Sequence, residues 1–219
     1  MSTLRVALPK GRLYPPAAEL FARLGCPGLS DLAGGRRLIY EDGDAGYRFV
    51  LVKPTDVPIY VEYGAADLGI VGQDVLRELE RDVYEPLRLG FGRCRLVVAG
   101  PPGLEEGGWA RRASLRVATR YPRLARQHFS SRGLSVEIVA LAGSVELAPQ
   151  VGLADLIVDV VDSGRTLAAN HLLEMETIMA SQAALIVNRA SHKLHLARIT
   201  ALIEEMGRLV PGATVGQGA

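Results

Sequence analysis

A chain of 219 residues, 48% hydrophobic and 22% charged, is long enough for one large domain or two small ones and apolar enough to bury a substantial core. Its formal net charge of +1 offers no broad cationic surface for nucleic acid. No apolar run approaches a membrane span and no secretory h-region opens the chain, so we expect a soluble cytoplasmic protein.

Val6–Leu8 predicts a first strand, and Leu8-Pro9-Lys10-Gly11-Arg12-Leu13 the turn that leaves it. Lys10 and Arg12 on that turn read equally as solvated residues and as contacts for phosphate or a base. A helical pattern follows over Ala17–Leu24, then Arg36 and Arg37 ahead of a strand at Leu38–Tyr40. The strand Phe49–Val52 ends on Lys53, just before Thr55 or Asp56 caps a helix over Val57–Tyr63. Only Lys10, Lys53 and Lys193 are lysine among 25 basic residues, which draws attention to the first two at their strand ends. In the next strand, Leu68–Val71, Gly69 and Gly72 permit close approach either of a ligand or of a packed neighbour.

Asp74–Glu80 reads as a helix and Leu96–Ala99 as a strand. Gly100–Gly108 then reads as a surface loop anchored by Trp109. A strand at Leu115–Ala118, a helix over Leu124–Arg132 and a strand at Val136–Leu141 come next. Gly143-Ser144-Val145-Glu146 predicts a helix start over Val145–Val151, in which Glu146 either favours the helix dipole or faces a sugar. The strand Leu156–Val161 is interrupted by Asp159 and empties into Asp162-Ser163-Gly164-Arg165-Thr166. That turn is either a capped helix start with Ser163 as the cap, or a cradle of backbone N–H groups and hydroxyls for an anion. The pair of carboxylates in and beside the strand, Asp159 and Asp162, tilts the balance, because burying them without partners is costly. Asp159 would accept from sugar hydroxyls beside the anion, which points to a phosphorylated ribose.

The last strand is Ala184–Val187, followed by a helix over Leu194–Met206 with Leu196, Ile199, Ile203 and Met206 as its buried stripe. Residues 210–219 read as a flexible tail. Continuous apolar strands alternating with helices argue for an α/β protein with mostly parallel sheets. Gly64-Ala65-Ala66-Asp67-Leu68 and Gly152-Leu153-Ala154-Asp155-Leu156 echo each other, and each follows a helical stretch. The echo points to two similar lobes with a ligand cleft between them. Cys26 and Cys94 stand far apart without metal-site spacing and are expected to be buried thiols. His192 and His195 lack companion ligands and are expected on an exposed polar face.

The motifs LPKGRL at 8–13, RLIYED at 37–42, VKPTDVPIYVEYGAADLGIVGQDVL at 52–76, GFGRCRLVVA at 90–99, RVATRYP at 116–122 and GSVELAPQVGLADLIVDVVDSGRTLAANHL at 143–172 stand in one order. In them the chain resembles the short-form ATP phosphoribosyltransferases, from Leu4 to about Leu209. Lys53 stands where some members of that family have arginine, which keeps charge without bidentate geometry. The resemblance implies a two-lobe, type II periplasmic-binding-protein-like fold. Its lobes would comprise residues 1–93 with 179–209, and 94–178. It implies a Mg²⁺-dependent glycosyltransferase that moves the 5-phosphoribosyl group of phosphoribosyl pyrophosphate to N1 of ATP, the first step of histidine biosynthesis.

Carried onto this chain, the family's site implies Ser163, Gly164, Arg165, Thr166 and Leu167 at the 5-phosphate, with Glu146 and Asp159 on the ribose. Lys10, Arg12, Arg37 and Lys53, with Gly69 and Gly72, would serve the pyrophosphate and ATP. Lys53, Arg37 and Lys10 would be catalytic, and Mg²⁺ would ride on substrate phosphates. The implied assembly is a homodimer joined to a regulatory subunit related to histidyl-tRNA synthetase. The runner-up reading is a two-lobe small-ligand sensor without turnover, and a third is a phosphoribosyltransferase for another base.

Overall fold

The computed structural model describes residues 3–32, 37–104 and 114–216. It divides into two compact units, Met1–Gly92 with Gln182–Ala219, and Arg93–Ser181. The sequence reading put these boundaries at 93/94 and 178/179. The first unit opens with β1 (Leu4–Pro9), α1 (Tyr14–Arg23), β2 (Ile39–Asp42), β3 (Tyr47–Val52), α2 (Val57–Glu62), β4 (Leu68–Gly72), α3 (Gln73–Leu79) and β5 (Tyr84–Arg88). The second holds β6 (Cys94–Gly100), β7 (Leu115–Thr119), α4 (Pro122–Ser130), β8 (Val136–Ala140), β9 (Leu156–Val161), α5 (Arg165–Ala169) and β10 (Leu173–Ser181). The chain then completes the first with β11 (Ala183–Val187), α6 (Arg189–Leu194), α7 (Leu196–Leu209) and β12 (Thr214–Val215).

The first unit's sheet runs β12-β5-β11-β4-β1-β3-β2. Its central strands are apolar on both faces because helices cover both. Leu4, Val6 and Leu8 face α1 and α7, while Ala7 faces α2. Two prolines at the start of α1 preset its first turn, and Tyr14, Ala17, Ala18 and Phe21 then make its buried stripe. The Tyr14 hydroxyl, enclosed by this packing, donates to the Leu29 carbonyl at 2.6 Å. In α7 the buried positions are Ile199, Leu202 and Met206, whereas Leu196, assigned to the stripe, is 53% exposed at the helix's first residue.

The second unit's sheet runs β10-β6-β9-β7-β8. Its core lies on two faces, one led by Leu96, Val117, Phe129 and Leu156, the other by Val97, Val145, Ile157 and Leu167. Both thiols, Cys26 and Cys94, are buried, and neither is in a disulfide. Burial, with Asp42 adding to it, pushes the Cys26 thiol up to about 11.

Three expectations are corrected. The sheets are mixed: among the described pairings four are parallel and six antiparallel. The β2–β3 hairpin, and the strands flanking each passage between units, supply the antiparallel neighbours. Val145–Val151 is not a helix but a 3₁₀ turn, Val145–Leu147, followed by further turns. Pro149 withholds an N–H there and Gly152 turns out at φ +70°. Within the expected flexible tail, Thr214–Val215 pair with β5. Arg36, Trp109 and the part of the expected Gly100–Gly108 loop beyond Leu104 lie outside the described residues; within the described part Gly100 closes β6 and Pro102-Gly103 make a turn.

The echo noted in the sequence is structural. Asp67 receives the Arg5 N–H at 2.8 Å, and Asp155 receives the Arg116 N–H at 2.9 Å, each across a parallel strand pair. In return Asp67 N–H donates to Arg5 O and Asp155 N–H to Arg116 O, both at 2.8 Å. The partner strands begin with the same four residues, Leu4-Arg5-Val6-Ala7 and Leu115-Arg116-Val117-Ala118.

Candidate functional site

In the second unit β9, β7 and β8 run parallel, with Thr119 level with Val158 and with Ala140, so the three strands deliver their exits to one edge of the sheet. Such an edge is where open α/β sheets gather binding residues. Thr119, fully buried, donates from Oγ1 to Val158 O at 2.7 Å and accepts the Tyr121 N–H at 2.8 Å. This pins the exit of β7 and with it Arg120, whose Nη2 lies 3.7 Å from Asp159 Oδ1. Asp159 is half-buried in β9, and its Oδ1 also accepts the Val160 N–H at 2.8 Å.

From β9 the chain passes Asp162 and Ser163 to Gly164, which precedes α5 at φ +75°. Gly164 is the cap, and no side chain caps the helix, so the reading of Ser163 as a capping residue is corrected. The Ser163 hydroxyl instead accepts from Arg165 Nε at 3.1 Å. Ser163, Arg165 and Thr166 are exposed, while Leu167 is 6% exposed and serves as the apolar anchor of α5. Leu167 shares one core cluster with Val145, Ala148, Ile157 and Leu172. That cluster brings the 3₁₀ turn carrying Glu146, the strand carrying Asp159 and the Ser163–Thr166 loop onto a single support. Asp162 is exposed and acts with Glu174 to raise the pKa of the Arg95 guanidinium, with the Glu174 hydrogen bond the larger cause.

The first unit gathers its cations in the same manner. Lys10 follows β1 and Lys53 follows β3, and the Lys10 N–H donates to Val52 O at 2.8 Å, so the two lysines leave adjacent parallel strands side by side. Arg37 precedes β2, whose antiparallel register (Ile39 opposite Val50) returns it to that same edge. Lys10, Arg12, Arg37 and Lys53 are all exposed. Gly69 and Gly72 are buried in β4. A Cβ on Gly69 would stand 2.7 Å from Val57 Cγ1 and 2.9 Å from Val61 Cγ2, so the room belongs to α2. At Gly72 the corresponding room is taken by the Asp74 carboxylate. At both glycines, therefore, a packed side chain takes the room a Cβ would need.

Other charged clusters have structural work. Asp67 is 2% exposed and holds Arg5 through both oxygens, at 2.8 and 3.1 Å, and the Ser191 hydroxyl at 2.7 Å. Burial alone would raise its pKa, but these bonds outweigh burial and hold the carboxyl below its ordinary range. A cavity of about 360 Å³, lined by Pro101, Gly103, Arg116, Pro149, Gly152 and Asp155, opens at the opposite ends of β7 and β9. Its charges are engaged: Arg116 Nη2 donates to Gly152 O at 3.0 Å and Asp155 receives the Arg116 N–H. The site is therefore assigned to the strand exits rather than to that cavity.

Sequence reasoning missed Thr119 and Arg120, whose partners depend on strand register, and Gln150 and Asn170, which bond each other from two loops twenty residues apart. The recurrence of Leu-Arg-Val-Ala before Thr119 and Arg120 was the signal available for the first two.

Residues 53–208 match the family model described as HisG: ATP phosphoribosyltransferase. The chain is 49% identical to the ATP phosphoribosyltransferase of Syntrophotalea carbinolica, covering 93% of this chain and 94% of that protein. It is 46% identical to that of Symbiobacterium thermophilum, over the full length of both. Among solved structures it resembles the ATP phosphoribosyl transferase (HisG:HisZ) complex from Thermotoga maritima, with a TM-score of 0.81, 32% identity and coverage of 94% and 98%. The periplasmic aliphatic sulphonate binding protein SsuA from Escherichia coli aligns with a TM-score of 0.62 at 12% identity, covering 95% of this chain and 72% of SsuA. That likeness concerns fold alone and bears out the two-lobe, periplasmic-binding-protein-like class.

Proposed function

The chain belongs to the ATP phosphoribosyltransferase family, and from that premise we propose how its residues carry out the first step of histidine biosynthesis. The observation that carries the reading is the single core cluster beneath Glu146, Asp159 and the Ser163–Thr166 loop. It gives a phosphorylated ribose two carboxylates for its hydroxyls and a loop of amides and hydroxyls for its phosphate.

In the reaction the lone pair of adenine N1 attacks C1 of phosphoribosyl pyrophosphate. The bond from C1 to the pyrophosphate oxygen breaks, its electron pair leaves with pyrophosphate, and C1 inverts. No strong general base is needed, because the nucleophile brings its own lone pair. Ser163, Gly164, Arg165 and Thr166 hold the 5-phosphate, and Glu146 and Asp159 accept from the ribose hydroxyls. Lys10, Arg12, Arg37 and Lys53 serve the pyrophosphate and the ATP phosphates. Lys53, Arg37 and Lys10 meet the charge that grows on the departing oxygen, a contribution of about 3 kcal/mol for a well-placed group.

Among the described residues no three His, Cys, Asp or Glu side chains cluster as a metal site. The donor set, two separate carboxylates at Glu146 and Asp159, suits a Mg²⁺ held mainly by substrate phosphates and water. Bound there, Mg²⁺ would neutralise charge on the leaving pyrophosphate.

Likeness to a HisG:HisZ complex supports assembly with a HisZ-like partner, related to histidyl-tRNA synthetase, around a homodimer of this chain. Likeness to biosynthetic enzymes supports action in the cytoplasm, and no described helix is long and apolar enough to cross a membrane. Mixing the protein with ATP, phosphoribosyl pyrophosphate and Mg²⁺ should produce the ultraviolet change of N1-substituted adenine. Binding of one ligand without that change would instead favour a sensor.

A further inference from the structure

α5 has five residues, too few to hold a helical shape in water unaided. Its geometry must come from its ends. At the N-terminal end Gly164 faces open space, and the side-chain contact there, Arg165 to Ser163, is local. The C-terminal end is tightly closed. His171 N–H donates to Ala168 O and Leu172 N–H to Leu167 O, with His171 left-handed at φ +54° and Leu167 and Leu172 in one core. Asn170 adds a side-chain bond, donating from Nδ2 to Thr166 O at 2.9 Å.

Gln150 fastens this closure to the other half of the site. Its Nε2 donates to Asn170 O at 2.9 Å and to Asn170 Oδ1 at 3.2 Å. Gln150 lies four residues past Glu146, in the turns that continue from the 3₁₀ segment. One amide thus joins the segment that reads the ribose to the residue that orients Thr166.

We propose that Gln150 and Asn170 form a positioning clamp that sets α5, and with it the Ser163–Thr166 loop, at the spacing from Glu146 that a ribose 5-phosphate requires. The inference rests on the assignment of that loop to the 5-phosphate. Neither residue touches substrate; each acts through Thr166. Gln150 is exposed and Asn170 half-buried, while the apolar support of α5 comes from Leu167, Leu172 and Val145. Loss of the clamp therefore leaves the core in place and appears as mispositioning.

Calorimetric titration of the full chain with phosphoribosyl pyrophosphate, ribose 5-phosphate and inorganic pyrophosphate tests this. Gln150→Ala removes both bonds, and the isosteric Gln150→Glu replaces two donations by a carboxylate facing two acceptors. Both should weaken the two ribose phosphates on the order of tenfold. Pyrophosphate affinity should stay within about twofold and the melting temperature within about 2 °C. Unchanged ribose-phosphate affinity in both variants overturns the clamp if Thr166→Ala, run in parallel, is weakened. If Thr166→Ala is unchanged too, the phosphate assignment itself fails and the clamp with it. Equal weakening of pyrophosphate, or a large fall in melting temperature, shows a general structural role and also overturns the proposal.

Discussion

Gly164 sits at a positive φ with empty space where a side chain would project, so substitution strains the backbone without displacing any neighbour. Gly164→Val should raise the KM for phosphoribosyl pyrophosphate by about tenfold or more, as should Thr166→Ala, with the fold intact by circular dichroism. Wild-type kinetics in both would remove the cradle. Lys53→Ala should instead lower kcat by about a hundredfold, if the proposed role holds and its charge meets the departing pyrophosphate. An effect confined to KM would mean that Lys53 binds ground and transition states alike. At this scale the sequence was informative wherever chemistry is carried by residue type and position along a strand. The placement of Lys10 and Lys53 at strand exits and of Asp159 within a strand was legible in that way. Gly69 was not, since whether a glycine makes room for a ligand or for a helix depends on what lies above it.

α2 rests on β4 at Gly69, with the methyl groups of Val57 and Val61 already within contact of a would-be Cβ. Gly69→Ala should cost about 1–3 kcal/mol, read as a lower denaturation midpoint. In the second unit, α4 is tied to β10 through His128, whose Nε2 faces Glu176 at 3.2 Å and whose Nδ1 faces Arg132 at 3.1 Å. Burial, reinforced by Arg132 and opposed by Glu176, holds the His128 pKa below its ordinary 6.5. The fold thus prefers neutral His128. Its contribution is complete above the ordinary value and is lost as pH falls through the lowered one. Melting temperature measured from about pH 8 down to pH 5 should decline on the acid side, and His128→Gln should flatten that decline.

Elements with continuous apolar runs, such as β1, β4, β6 and β11, were readable as strands. β10 was hidden because Glu174 and Glu176 interrupt it and two register shifts break its alternation, and β5 because Glu85 and Pro86 fall inside it. Glu85 is tolerated in a buried strand because Gln73 Nε2 donates to it at 2.8 Å, a partner twelve residues away that periodicity does not reveal.

Across the whole molecule, the two-unit organisation was legible from the Asp67 and Asp155 echo, because the same carboxylate-to-backbone lock is built once in each unit. Strand direction was not, since it is decided by which strands the chain returns to pair with. That return has a consequence for folding. Cys94 and Ser181, near the two ends of the second unit, are opposite one another in a single antiparallel ladder, about 5 Å apart by the geometry of such pairs. The second unit is in effect an insertion whose stem is already zipped, so it should survive excision. A fragment spanning Arg93–Ser181 should melt cooperatively on its own and retain ribose 5-phosphate while losing ATP, as calorimetry would show. An unfolded fragment would mean that the insertion depends on its host.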